Sequence, residues 1–327
     1  MMSNLYPLKF EPILKDKIWG GSKLSKLPGK ESASGKCGES WEISTVGDDI
    51  SVVANGFLKG NDLLEVIEVY MGDITGDKIF EKYGIEFPLL IKFIEANDVL
   101  SVQVHPDDEM ALQKHNLRGK TEMWYIMEAD KGANLISGFT RELSPEEYLM
   151  YLNSGKIKDV LNFVPVNAGD IFYMPAGRVH AVGKGILLVE IQEASDLTYR
   201  IYDWDRKDNN GNPRELHTDL ALEAIDFKFV PDVKTNYKGT LNQTVETVNS
   251  DYFTTHVIQL NQVVEKNYSF IDSFVIYICT EGEVNLEVEG LPDTRVSRGE
   301  AVLIPAVIKQ LVIKPVNKSS LLEVYIK

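Results

Sequence analysis

The sequence predicts a mainly β protein: two related barrels, the first metal-binding and the second degenerate, with a few short helices between strands. Three observations carry this. Short apolar stretches alternate with period two and are punctuated by Gly and Pro, as half-buried strands require. The frame Gly169-Asp-Ile-Phe-Tyr-Met-Pro175-Ala-Gly-Arg-Val-His180 recurs as Gly299-Glu-Ala-Val-Leu-Ile-Pro305-Ala-Val-Ile-Lys-Gln310, an internal repeat. Laying Tyr277-Ile278-Cys279 on Tyr125-Ile126-Met127 puts Phe274 in the place of Glu122 and Gln310 in that of His180. The second copy so keeps the punctuation and loses the polar groups. The expected division is a catalytic domain over 1–215 and a degenerate β domain over 216–327.

Taken in order, residues 1–60 read as β structure with loops, and the Trp19-Gly20-Gly21 and Gly38-Glu39-Ser40-Trp41 segments suggest rings packed on bare backbone. Residues 62–83 read as helix, capped by Asp62, with an apolar stripe of Leu63, Leu64, Ile67 and Tyr70. Phe87 to Phe93 is a buried strand interrupted by Lys92, which is either a snorkelling lysine or a cation aimed into a ligand cavity. Pro106-Asp107-Asp108-Glu109 opens a short helix, with the aspartates read as caps. Met123 to Met127 is the next strand. Ser144-Pro145-Glu146-Glu147 is a capping box opening a helix to about Leu152, followed by a second helical piece to about Phe163. Ile186 to Gln192 is a strand, Asp203 to Glu215 a linker and 218–227 a short helix. From Asp251 onward the pattern is β again.

The chemistry concentrates on Ser101-Val102-Gln103-Val104-His105-Pro106. On a strand, Ser101, Gln103 and His105 share one face. A Gln and a His buried together each need a partner, and a metal ion satisfies both. Glu122 follows closely enough to pair as a hairpin, and His180 joins through the fold. Gln103, His105, Glu122 and His180 are therefore the expected ligand set, suited to a borderline divalent ion such as zinc. A lone His is ordinarily a satisfied core or surface residue, so the inference rests on the set; His115, His217 and His256 are expected at the surface. Lys120, two before Glu122, faces the same cavity. Arg200 is either a substrate-binding guanidinium or an ion-pair partner of Asp196 or Asp203.

Composition limits the partners. A net charge of −15 disfavours nucleic acid and anionic membrane surfaces. Cys37 and Cys279 form no spaced cluster, which suggests a reducing compartment, although one disulfide is open. No secretory signal and no uncharged membrane-length run is read, so the expectation is a cytoplasmic protein, a monomer or weak homodimer, acting on a small molecule.

Gly169…Pro175-x-Gly177-x-x-His180 resembles the second motif of the cupins, and Ser101-Val-Gln103-Val-His105-Pro106 resembles the type I mannose-6-phosphate isomerases, where Gln-x-His replaces the usual His-x-His. Lys120-Thr-Glu122, the segment ending in Arg200, Trp41-Glu42-Ile43-Ser44 and Tyr202-Asp-Trp-Asp-Arg-Lys207 are similar to the same family, in the same order. The resemblance implies cupin (jelly-roll) barrels, interconversion of mannose 6-phosphate and fructose 6-phosphate, zinc held by Gln103, His105, Glu122 and His180, and Arg200 as the active-site arginine. It also implies a short bacterial branch without the long helical insertion of larger members, the Ser144–Phe163 helices being its remnant. Lys92, Lys120 and Ser44 are the candidates for phosphate or hydroxyl contacts. No general base is singled out by spacing. Two other classes stay open: an iron-dependent cupin oxygenase and a non-catalytic sugar-binding cupin.

Overall fold

Strand Leu89–Ala96 shows how this chain builds a barrel. Leu89, Ile91 and Phe93 point one way and Lys92, Ile94 and Ala96 the other, yet the whole strand is buried. Both faces are covered because two barrels stand back to back. Leu89, Ile91, Phe93, Met123, Tyr125, Val189 and Ile191 share one apolar core with Phe274, Ile276, Ile278, Leu303, Leu322 and Val324 of the C-terminal half. The opposite faces of the same strands line the two barrel interiors.

The computed structural model describes residues 5–207 and 211–327. The first barrel pairs a six-stranded sheet with a five-stranded one, both antiparallel. Its six-stranded sheet places Ile186–Glu193 between Leu89–Ala96 and Glu122–Ala129, with Ile13–Gly21 and Ile171–Met174 at its edges. Its partner sheet carries Val102–Val104 between Tyr199–Tyr202 at the edge and His180–Ala181 at the centre. The second barrel repeats the plan with five and four strands between Thr244 and Tyr325. These are the cupin barrels the sequence suggested.

Local expectations fare as their chemistry dictates. Asp62 caps its helix in a reciprocal box with Glu65, but the 62–83 helix is broken into Leu63–Tyr70, Gly72–Thr75 and Asp77–Tyr83. Gly76, at φ 97°, begins the last piece and lies so close to Asp272 that a Cβ there would sit 2.4 Å from its carbonyl oxygen. Asp107 accepts from Met110 N and caps Asp108–His115. Ser144 and Glu147 form the capping box of Pro145–Asn153. The second helical piece is only a turn, Ile157–Asp159, and is followed by strand Leu161–Pro165, where exposed Phe163 stands between half-buried Asn162 and Val164. Gly38 has a ring packed on bare backbone, since a Cβ there would lie 2.6 Å from the Trp19 ring, whereas at Gly20 a Cβ would meet the backbone oxygen of Lys36 at 2.1 Å. The Asp203–Glu215 segment is no linker, insofar as it falls among the described residues (208–210 lie outside them): Tyr199–Tyr202 runs into it and Arg214 folds back against Asp203.

The repeat is real, but its register differs from the sequence alignment by one residue. Ile171 pairs with Tyr125, whereas Ala301 pairs with Ile278. Gly169 N reaches Ile126 O as Gly299 N reaches Cys279 O. Val275, not Phe274, therefore occupies the place of Glu122. The correction matters because one residue of slip turns a side chain to the other face of the sheet. Phe274 faces the shared core between the barrels. Gln310, in the place of His180, is exposed.

Candidate metal centre

His105, Glu122 and His180 arrive from three different strands or strand ends and meet inside the first barrel. Their ligating atoms all lie within 4.8 Å of one another, and each side chain is buried. Glu122 is the hub: its Oε2 lies 3.4 Å from His105 Nε2 and its Oε1 3.3 Å from His180 Nε2. Glu122 opens a strand, and its backbone is fixed by pairing with both Gln192 and Met174. His180 is delivered by the turn after Pro175, where Arg178 N bonds Pro175 O, and it pairs across the sheet with Gln103.

The two imidazoles are oriented as metal ligands are. Nδ1 of His105 donates to Leu197 O at 2.7 Å, and Nδ1 of His180 donates to Arg178 O at 2.8 Å, so both Nε2 lone pairs point at Glu122. Burial pushes the His105 pKa well below its usual value, helped by the Lys120 cation and the neighbouring His180. Burial likewise lowers that of His180, with Glu122 opposing. Both rings are thus neutral and ready to coordinate. His105 Nε2 and both carboxylate oxygens of Glu122 are fully buried without a hydrogen-bond partner. Orphans of this kind are costly unless a ligand completes them. Gln103 is placed beside them, its amide 3.3 Å from His180 Nε2, and a half-turn of that amide presents its oxygen instead. The donor set fits a borderline divalent ion.

Around this centre runs a polar cavity. Gln103, Lys120, Lys92 and Arg200 line it, as the sequence suggests. Lys120 Nζ stands 3.8 Å from Glu122 Oε2. Arg200 is not paired with Asp196 or Asp203: its Nη1 donates to Glu215 O and its buried Nε has no partner. Lys92 is engaged by Glu190 at 3.3 Å and lies over the Trp41 ring; burial works to lower its pKa, but Glu190, then Glu39, Asp196 and Glu122, raise it above the usual value. Ser44 is not brought here. Its hydroxyl accepts from Val46 N, its backbone N–H donates to Ser51 Oγ, and it does not line the cavity, because the strand carrying Trp41 ends at Ile43. His256 is also misjudged by sequence: it is buried in the second barrel, 3.1 Å from Glu323.

Several lining residues escape sequence reasoning. Glu190, Glu39, Lys17, Asp196 and Arg214 all border the cavity. Glu190 carried a usable signal, a lone carboxylate on the inward face of an apolar strand. It accepts Trp124 Nε1 at 3.0 Å, and Trp124 meets His180 edge-on at 5.3 Å. The second barrel holds an equivalent set at the same register, with Glu323, His256 and Tyr277 in the places of Glu190, Lys92 and Trp124. Lys92 thus belongs to a carboxylate-centred set on the inner face and lines the cavity as well. Glu39, held by Lys92 and Lys17 against the cost of burial, has its pKa pulled down to about 2.

Glu193, just outside the cavity, accepts from Thr121 N at 2.7 Å. Burial first, then the Asp108 carboxylate, raises its pKa from the usual 4.5 to about 8. Folding therefore takes up a proton between those values, and stability falls as pH rises through that window. The denaturation midpoint of the wild type should drop between about pH 5 and about pH 8, and Glu193→Gln should flatten that drop. Equal slopes in the two proteins would show that Glu193 does not titrate this way.

Residues 7–137 match the family model described as the phosphomannose isomerase type I catalytic domain. The mannose-6-phosphate isomerase of Streptococcus mutans is 36% identical over 304 residues, covering 93% of each chain. Mannose-6-phosphate isomerase ManA of Bacillus subtilis is 42% identical over 230 residues, 69% of this chain and 70% of that one. The crystal structure of the mannose 6-phosphate isomerase from Bacillus subtilis matches with a TM-score of 0.85 at 32% identity, over 98% of this chain and 100% of that one. Coverage of this order spans both barrels and the His/Glu/His centre together, and the chain belongs to the type I phosphomannose isomerase family, as an enzyme on the cupin fold.

Proposed function

We propose that the chain is a zinc-dependent aldose–ketose isomerase that interconverts mannose 6-phosphate and fructose 6-phosphate by moving a proton between C1 and C2. The observation that carries this is the trio of buried, partnerless ligand atoms on His105 and Glu122, with neutral His180 completing the set. Gln103 is the fourth protein ligand in this reading. A divalent ion bound there supplies Lewis acidity to the oxygens on C1 and C2.

The chain's own side chains do the rest. Arg200, with a buried N–H unspent, steadies the oxygen on which negative charge develops. Lys120 donates to the same region and orients the sugar. Of the carboxylates bordering the cavity, Glu39 is occupied by Lys17 and Trp41, and Glu190 by Lys92 and Trp124. Asp196 is in no ion pair among the described residues, so by elimination it takes the proton from carbon. Ser101 and Thr198 offer hydroxyls to the remaining sugar oxygens. The cations beside the metal suit a phosphosugar better than the dioxygen chemistry of an iron oxygenase. Residues 1–215 supply the strands of the catalytic unit, Thr218–Ala224 packs onto it through Ala221, and the strands of the degenerate companion follow from Thr244. Among the described residues no helix is long and apolar enough to cross a membrane. The free, buried Cys37 and Cys279 support a reducing, cytoplasmic setting.

The test is a coupled assay from mannose 6-phosphate on zinc-loaded and chelated protein, with Asp196→Asn alongside. Turnover is expected only with metal, and the Asn variant should lose about 10²-fold or more in kcat with zinc retained. No turnover by the zinc-loaded wild type would favour a sugar-binding role, and an active Asn variant would remove Asp196 as the base.

A further inference from the structure

We propose that Arg214, aimed by Asp203, binds the phosphoryl group of the substrate at the outer end of the cavity. This rests on the phosphosugar reading above and assigns the anion-binding role to a segment that sequence alone reads as a linker.

The segment is built to hold one guanidinium still. Trp204 and Asp205 are consecutive residues in the left-handed region, at φ 58° and 56°, a conformation costly for side-chain-bearing residues unless fixed from outside. The fixing bonds run to the loop before the Gln103 strand: Trp204 Nε1 donates to Leu100 O at 2.7 Å and Arg206 Nη1 to Val99 O at 2.6 Å. The sharp reversal leaves Asp203, 5% exposed, as a common acceptor. It takes Arg214 Nε at 2.7 Å, Arg214 Nη2 at 2.5 Å and Arg206 Nη2 at 2.5 Å. Asp203 therefore grips one edge of the Arg214 fork in two places. The remaining nitrogen, Nη1, has no partner among the described residues, and Arg214 lines the same cavity as Gln103 and Lys120.

Charge points to the same ligand. The other cavity cations have neighbours of their own: Lys17 with Glu39 at 3.1 Å, Lys92 with Glu190 at 3.3 Å, and Lys120 with Glu122 at 3.8 Å. In contrast, the guanidiniums of Arg200, Arg206 and Arg214 cluster about a single buried carboxylate. They are close enough that, after burial, Arg214 is the next cause lowering the Arg200 pKa. Three guanidiniums share that one buried carboxylate, while Asp98, 3.9 Å from Arg206, and Glu215 near Arg200 are exposed; the excess positive charge, inside a chain of net charge −15, suits an anion. A phosphoryl group carries roughly two negative charges and several acceptor oxygens near neutrality, and a fixed guanidinium is the side chain suited to it. Arg200 sits on the strand that pairs with Gln103, nearest the metal centre. Arg214, tethered to the Asp203 turn, is placed for the far end of an extended sugar phosphate.

Arg214→Ala should raise KM for mannose 6-phosphate and Ki for inorganic phosphate by about 10- to 100-fold, with kcat and zinc content close to wild type. Arg214→Lys should fall between the two proteins, since an ammonium keeps the charge and loses the fork. Asp203 is a positioning residue, so Asp203→Glu should recover much of the affinity that Asp203→Ala loses. Unchanged KM and Ki in Arg214→Ala would overturn the assignment, as would a loss confined to kcat, which would place Arg214 at the reacting carbons. Calorimetric titration of the zinc-loaded protein with inorganic phosphate separates this proposal from the isomerase reading. Arg214-dependent phosphate binding in a protein that does not turn over mannose 6-phosphate would sink only the latter. Normal turnover with phosphate binding indifferent to Arg214 would sink only the former.

Discussion

His105→Ala should leave a folded protein that no longer retains zinc at stoichiometric level and turns over mannose 6-phosphate at least about 10³-fold more slowly. The magnitude follows from the role. Removing one imidazole leaves one other, a carboxylate and an amide and so weakens the metal, and Lewis-acid stabilisation is worth several kcal/mol, each ~1.4 kcal/mol a factor of ten. The effect on folding should be smaller than for an ordinary buried residue. In the metal-free protein His105 Nε2 has no partner and stands against the partnerless Glu122 carboxylate, so deletion removes an unsatisfied polar atom as well as a packed ring. Metal analysis and the coupled isomerase assay on one preparation decide the matter. A variant holding a full equivalent of zinc at wild-type speed would show that the ion, if bound, sits elsewhere.

Arg200→Ala should divide the two functions the first variant removes together. Zinc content should stay near wild type, because Arg200 contacts none of the ligand atoms: its guanidinium bonds Glu215 O, and its backbone N–H donates to His217 Nδ1, a bond the substitution leaves intact. Turnover should fall by about 10²- to 10³-fold in kcat, the range for losing a fixed donor to developing oxyanion charge. Arg200→Lys should recover little of it, since a guanidinium and an ammonium place their N–H groups differently. Full activity in the alanine variant would strike Arg200 from the catalytic residues and leave Lys120 as the cavity's donor. These outcomes also separate Arg200 from Arg214. The first acts on kcat near the reacting carbons, the second on KM at the far end of the same sugar.

Much of the site was legible because its chemistry is local in sequence. The alternation of Ser101, Gln103 and His105 fixes which side chains share a face, and Glu122 follows one short helix later. The structure adds what alternation leaves open: both imidazoles are buried, with Nδ1 of His105 on Leu197 O and Nδ1 of His180 on Arg178 O. The failures have physical causes too. Ser44 has the right chemistry and the wrong place, since its strand ends one residue earlier and the hydroxyl turns into a tight bend. Phe274 and Val275 differ by one step along a strand. Nothing in an apolar run tells a strand facing the shared inter-barrel core from one facing its own interior, because both faces are buried.

By itself the sequence determined the alternation of strands and turns, the repeated Gly and Pro frame, and the ligand types. It did so because strand period, backbone freedom and donor chemistry are properties of neighbouring residues. Only the tertiary structure decided which groups meet. His180 reaches Glu122 through sheet pairing, Glu190 is found scaffolding Trp124, and Arg214 returns across a loop to Asp203. Contacts of that kind depend on the register of strands far apart in the chain. Register is set by the burial of whole faces against one another, a quantity no single stretch of residues contains.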